Sequence, residues 1–507
     1  VSEKNEEKTE KKGPPEKPPE KPGSPFRDRL GRAFNYANNP ISIVGIVLTT
    51  VAGLSIVTFM VIELAGGFHN PYIGIFAYLI LPGIFVAGLV LIPIGMWRRR
   101  QRLVVEGVSE RERVRFPRLD FNDPGLRRLA TLVLFLTAVN AVVFGVSSMM
   151  AVEHMESVEF CGTTCHDLMI PEYTTYQESP HSRVSCVECH IGPGASWFVR
   201  SKVDGLRQVW RTALDSYERP IETPLETLRP ARETCEACHW PAKHYGDKIR
   251  IFARFGTDEA NTPSYTAMLL KTGGGRLDLG QHGGIHWWHI YSDNRIRYVG
   301  SEDLEEIYWV ELTTADGEVR IYTRGDEEEL PSAEEIEQEA HLMDCIDCHN
   351  RPTHIMDPPS NALDKLLQNH SDLAELPYYK REALAAIEDE EYPTREGGMA
   401  EVEEAVTAFY RDSYAEVWSD RQPLVEKGAK SAAEVYGRSY FPEMKTSWQT
   451  HPNHIGHEAF PGCFRCHDEE LATEDGEHVI SLDCESCHAF LVEGADTPPD
   501  LAELVNG

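Results

Sequence analysis

Three long apolar runs near the N-terminus, and beyond them six cysteine pairs each followed directly by histidine, predict a membrane-anchored multihaem cytochrome fold. The expected architecture is three transmembrane helices plus a mainly α, haem-packed periplasmic domain with a small β-rich insertion. Ten of the 12 Cys fall in five regular motifs: CVECH (Cys186, Cys189, His190), CEACH (Cys235, Cys238, His239), CIDCH (Cys345, Cys348, His349), CFRCH (Cys463, Cys466, His467) and CESCH (Cys484, Cys487, His488). In each, two thiols can bond the haem vinyl groups from one edge while the histidine turns under the ring to the proximal axial position. The remaining two, in CGTTCH, are Cys161 and Cys165, with three residues between them instead of two and His166 following. They read as a sixth haem c on a stretched loop. Structural zinc or disulfides are the competing uses of paired cysteines, but neither explains a histidine after the second Cys six times.

The elements follow in order. Residues 1–38 are rich in Lys, Glu and Pro and predict a disordered cytoplasmic tail. Residues 39–155 form the anchor, with expected spans at 41–62, 72–97 and 129–152, each long enough to cross about 30 Å of hydrocarbon. Pro82 and Pro93 predict a kink in the second. The first span is too long for a signal-peptide core and has a tail of about forty residues before it. Ten Lys and Arg lie in 98–128 and none in 66–70, so the positive-inside rule puts the N-terminus in the cytoplasm and everything after residue 152 outside the bacterial inner membrane. That is also the side on which c-type motifs acquire haem.

Of the net charge of −32, residues 1–155 contribute 19 basic against 14 acidic groups, which leaves −37 for residues 156–507. A field of that sign excludes nucleic acid as a partner and suits a redox protein with a basic face. Motif spacing sets the organisation: a three-haem module at 156–245, a β-rich insertion at 246–335 and a second three-haem module with a helical linker at 336–507. Within the insertion, KIRIFARF (248–255), RIRYVG (295–300), EEIYWVEL (305–312) and EVRIYTR (318–324) read as strands. Between 361 and 436 apolar residues recur at helical spacing.

Distal iron ligands are sought among the other histidines, because such a chain needs about one for each iron. His181 and His244 flank the second and third motifs, His341 and His354 bracket the fourth, His286 and His289 sit in HGGIHWWHI, and His451, His454 and His457 crowd HPNHIGH.

CGTTCHDLM followed by PEYTTYQESPHSRVSCVECHIGPG resembles the opening of the NapC/NirT family of membrane-anchored multihaem quinol dehydrogenases. CHWPAKHYG, MDCIDCHNRPTH and FPGCFRCH extend the likeness to the larger inner-membrane cytochromes of metal-reducing bacteria. The resemblance implies that the first haem lies beside the quinol, with Met169 as an axial candidate and Lys202 as the nearest match to the quinol-site lysine. Departures are three spans for the usual one, the stretched first motif, Met169 three residues past His166, and no acid at the family's spacing after Lys202, where Gln208 is neutral. The expected function is electron transfer from membrane quinol, menaquinol in particular, through six haems to a periplasmic cytochrome or other redox protein, alone or within a larger membrane complex. His154, Lys202 and Asp204 are the expected proton acceptors. Two other readings are a haem-bearing subunit of a respiratory or photosynthetic complex without its own quinol site, and a terminal oxyanion reductase.

Overall fold

The computed structural model describes residues 36–64, 80–106, 122, 124–164, 168–192, 194–221, 223, 229–239, 246–274, 283–291, 294–324, 330–389 and 392–506. The chain divides into two units at Met155/Glu156.

In the first unit, α1 (Pro40–Leu64) and α2 (Leu81–Val105) pack against each other and α3 (Pro124–Met155) follows. Among the described residues, two segments are long and apolar enough to cross a membrane, Pro40–Phe59 and Leu81–Val105. The predicted third span lies within α3. The α1/α2 seam depends on small residues: a Cβ on Gly88 would meet the Thr49 hydroxyl and the Gly45 carbonyl, so glycine lets the backbones approach. Ser42 Oγ donates to the Ile92 carbonyl across the seam at 2.9 Å. WRRRQR, expected in a loop, continues α2 to Val105, because no breaker interrupts it. Residues 72–79 of the second predicted span, like the tail up to residue 35, lie outside the described residues.

The second unit, Glu156–Gly507, begins with short helices α4 (Val158–Thr163), α5 (Ile170–Glu178) and α6 (Cys186–His190), then the longer α7 (Ala195–Ala213) and the short α8 (Ala231–Cys235). Ser157 caps α4 by accepting from Phe160 N at 3.1 Å. Gly162, inside the stretched motif, lies against the Tyr173 ring of α5 so closely that any Cβ would collide with it.

The β region is not a self-contained insertion. Antiparallel β1 (Lys248–Phe255) and β2 (Pro263–Leu270) form a hairpin, and the strand that completes their sheet starts at the last motif's histidine. A second sheet is built from β3 (Arg295–Gly300), β4 (Ile307–Thr313), β5 (Val319–Thr323) and β6 (His341–Leu342), in the order β5-β4-β3-β6. Its buried face, Tyr298, Ile307, Val310 and Tyr322, packs on Leu471 and Cys466 of the C-terminal haem region. The predicted boundary at 335 is therefore crossed by paired strands.

After α9 (Ala333–Glu339) and α10 (Cys345–Cys348) comes the helical stretch, α11 (Pro359–Asn369), α12 (Tyr379–Glu388), α13 (Arg395–Ser413) and α14 (Ala415–Ser439). Among the described residues it holds the largest apolar core, rather than serving as a linker. Leu363 and Leu367 on α11, Val402, Val406 and Tyr410 on α13, and Val425, Ala429 and Tyr436 on α14 recur every three or four residues and close on one another and on Ala253 and Phe255 of β1. The chain then runs through a small hairpin, β7 (Tyr440–Phe441) with β8 (Thr446–Ser447), to β9 (His488–Ala495), the third strand of the β1/β2 sheet.

Candidate functional site

The cysteine motifs share a local fold. The amide of the motif histidine donates to the carbonyl of the first cysteine in CEACH (2.7 Å), CIDCH (2.8 Å) and CFRCH (3.1 Å), which closes one tight turn. Asp344 caps the CIDCH turn in a capping box with Asp347. In CGTTCH, Cys161 lies on α4, whereas Cys165 and His166 fall outside the described residues.

Each of the five regular motif histidines faces a second histidine from elsewhere in the chain. Ring centroids are 6.3 Å apart for His190 and His354, 5.9 Å for His239 and His181, 6.3 Å for His349 and His286, 5.9 Å for His467 and His289, and 6.2 Å for His488 and His457. A metal bonded to imidazole nitrogens at about 2 Å on each side separates ring centres by roughly 6 Å, so every pair leaves the gap that one iron fills. The tautomers agree with this. Nδ1 of His354 contacts the Glu172 carbonyl at 3.0 Å, that of His289 the Ile285 carbonyl at 2.8 Å, that of His467 the Ser481 carbonyl at 2.9 Å and that of His181 the Pro352 carbonyl at 3.2 Å. A ring that donates Nδ1–H to a carbonyl presents Nε2 as a lone pair, the arrangement that orients metal-binding histidines. Burial also pushes His190, His289, His349 and His354 below the usual imidazole pKa, which keeps them neutral. These residues fit haem c.

Other candidates part from this pattern. None of the ring contacts among the described residues joins His341, His451 or His454 to a motif histidine. Both ring nitrogens of buried His454 are engaged by protein, Nδ1 with the Asp347 carbonyl at 3.1 Å and Nε2 with Glu305 at 2.9 Å, so it has no lone pair for iron. His341 stacks on Tyr298 at 5.6 Å. His451 Nδ1 meets Thr223 Oγ1 at 3.1 Å, and burial beside Arg351 pushes its pKa down to about 4. Met169 is half-buried at the N-cap of α5. His244 lies outside the described residues.

Neighbouring motifs also lie close to one another in chain order. Cys186 interacts electrostatically with Cys161, Cys235 with Cys189 and with Cys345, and Cys463 with both Cys348 and Cys487. These thiols stand where thioether sulfurs sit once haem is attached. Side chains and backbone tie the same steps together. Arg229 donates to the Glu188 carbonyl at 3.4 Å, the Arg232 amide to Asp344 at 3.1 Å, and Arg465 of CFRCH to the Asp347 carbonyl of CIDCH at 2.6 Å. Glu172 and the buried Arg351, paired at 3.2 Å beside His354, belong to this supporting layer. Neither they nor Arg465 carried a motif signal of their own.

At the start of the second unit, Glu156 lies 4.0 Å from the ammonium of Lys202 on α7. A carboxylate does face this lysine, then, and it comes from the head of the domain, whereas Asp204 sits half-buried further along α7. Sequence reading missed Glu156 because it precedes the lysine by almost fifty residues. His154 occupies the last turn of α3 in the other unit.

The model of the NapC/NirT cytochrome c family, N-terminal region, matches residues 125–224. Over 474 residues the chain is 40% identical to the cytochrome c-type protein ImcH of Geobacter sulfurreducens, a match that covers 93% of this chain and 91% of that one and so takes in both units. Over 113 residues it is 30% identical to the cytochrome c-type protein NrfH of Wolinella succinogenes, 22% of this chain and 63% of the relative. No solved structure matches the chain.

Proposed function

Because the chain belongs to the NapC/NirT cytochrome c family, we propose that this membrane-anchored electron-transport protein oxidises a membrane quinol, menaquinol in this reading, and delivers the electrons through six haems c to a periplasmic acceptor. The haem-bearing unit stands outside the membrane on three spans, with the N-terminus in the cytoplasm. The observation that carries the relay is the set of five histidine pairs at 5.9–6.3 Å, threaded by motif contacts that keep chain order.

Cys186/Cys189, Cys235/Cys238, Cys345/Cys348, Cys463/Cys466 and Cys484/Cys487 hold five haems, and Cys161/Cys165 with His166 a sixth. Bound there, haem c would supply one-electron chemistry. The chain itself fixes imidazole tautomers and spaces the motifs. Oxidation of one quinol releases two electrons and two protons. The electrons leave one at a time through the first motif, and the protons need bases at the membrane face. The Lys202–Glu156 pair is suited to that role, the carboxylate taking a proton while the ammonium donates a hydrogen bond to a quinol oxygen, with Asp204 and His154 as further acceptors.

Replacing Lys202 with Leu tests the assignment. Quinol-driven haem reduction is expected to slow about 10²-fold, the low end of what a positioned acid–base pair contributes, while haem content and dithionite reduction stay at wild type. A wild-type quinol rate in that variant excludes Lys202. Failure of quinol to reduce the intact wild-type chain rejects the quinol site itself and leaves a haem subunit fed by a partner.

A further inference from the structure

α7 carries an apolar stripe that the folded chain leaves uncovered. Val199, Val203, Leu206, Val209, Trp210 and Leu214 recur at three- and four-residue steps, and all are more than half exposed, Leu206 at 69% and Trp210 at 68%. The stripe runs about 22 Å along the helix at 1.5 Å per residue, further than one flat macrocycle covers. Basic residues border it on both sides, Lys202 on one and Arg200, Arg207 and Arg211 on the other, while Asp204, Gln208 and Ser201 occupy the opposite face. In a domain of net charge −37 this helix is locally positive. Apolar residues flanked by Arg and Lys, with a tryptophan in the stripe, are the pattern of a helix lying in the plane of a bilayer surface.

Position agrees with pattern. Lys202 reaches Glu156, and Glu156 is the residue directly after α3. If α3 crosses the membrane, its end marks the outer headgroup level, and the ion pair holds α7 at that level.

We propose that α7 is an interfacial helix, seated in the outer leaflet with its stripe at the headgroup–acyl boundary and Arg200, Arg207 and Arg211 on anionic lipid phosphates. The occupant of the exposed stripe is the lipid surface. The proposal rests on α3 as a span and not on the quinol assignment. Seating α7 this way would clamp the first motifs against the membrane at two points, the end of α3 and the plane of α7.

The test uses the full haem-loaded chain in nanodiscs containing phosphatidylglycerol, with a nitroxide-bearing unnatural side chain at position 206 or 208. The label at 206 is expected to be relaxed by dissolved oxygen and shielded from a water-soluble nickel chelate, and the label at 208 the reverse. Replacing Arg200, Arg207 and Arg211 together by Gln should shrink that contrast in the anionic discs. The proposal is overturned if the two positions are equally open to nickel, as a surface awaiting a soluble partner would be. Shielding of position 206 from both reagents, which means cover by haem or protein, overturns it too. So does dipolar broadening that vanishes on dilution with unlabelled chain, which means a second copy. Quinol turnover enters none of these readouts.

Discussion

At His354 a carbonyl takes the Nδ1 proton and the ring faces His190, whereas at His454 both nitrogens are spent on protein partners. Two histidines close to motifs in sequence thus have opposite chemical prospects, and the difference lies in hydrogen bonds that no spacing reveals. His354 follows CIDCH by five residues, yet its ring partner is the histidine of CVECH. The motif cysteines and proximal histidines were legible because covalent attachment demands a contiguous pattern. The distal partners were not, since any segment the fold brings within about 6 Å can supply one. Replacing His354 with Ala is expected to leave one haem in six without its second imidazole, read as a high-spin signal of one-sixth intensity in the electron paramagnetic resonance spectrum. Replacing His454 with Ala should leave the haem spin states as in the wild type but cost about 1–3 kcal/mol, the penalty for stranding buried polar partners, read as a lower thermal midpoint. A high-spin haem gained in the His454 variant would reverse the two assignments.

At the scale of elements, the helices between 361 and 436 were legible from apolar spacing, but their place as the main core was not, because periodicity identifies a buried face without saying what buries it. PSYTAMLL of β2 escaped notice since it opens with proline and mixes small polar with apolar residues, and its pairing with β9 joins segments more than two hundred positions apart. The joint between β1 and the helical core is polar. Lys380 on α12, 5% exposed, donates to Asp364 Oδ1 on α11 at 2.6 Å and to the Phe255 carbonyl of β1 at 2.8 Å, and the same carboxylate oxygen accepts the Phe255 amide at 2.9 Å. One buried pair therefore pins two helices and a strand. Replacing Lys380 with Met leaves the Asp364 carboxylate, among the described residues, only Arg254, 3.5 Å away, as a counter-ion and is expected to cost about 3 kcal/mol, seen as an earlier guanidinium transition of the helical signal in circular dichroism. Replacing Asp364 with Leu in the same chain should recover most of the loss. If the single variant unfolds at the wild-type midpoint, the pair is not what holds β1 to the helices.

At the scale of the molecule, the motif cysteines among the described residues neighbour one another in sequence order, with CIDCH between CEACH and CFRCH. Its neighbours bind it from both sides, Cys235 and the Arg232 amide from the third motif and Arg465 from the fifth. A quinol stays in the bilayer, and Cys161 begins six residues after α3 ends, so even an extended connection of about 3.3–3.6 Å per residue holds the first motif within roughly 20 Å of that end. On the proposed function, electrons drawn from the membrane would enter at the first motif and pass the fourth to reach the last two. Replacing Cys345 and Cys348 together with Ala removes the attachment point between the third and fifth motifs. With five motifs left, quinol is expected to reduce only the three on the membrane side, about three-fifths of the dithionite-reducible absorbance, while a small soluble reductant reaches all five. The comparison is internal to one preparation, so partial unfolding would show in the dithionite total and not in the ratio. Complete reduction by quinol in that variant would mean that the fourth motif is bypassed, and the order of motif contacts would lose its meaning as an electron path.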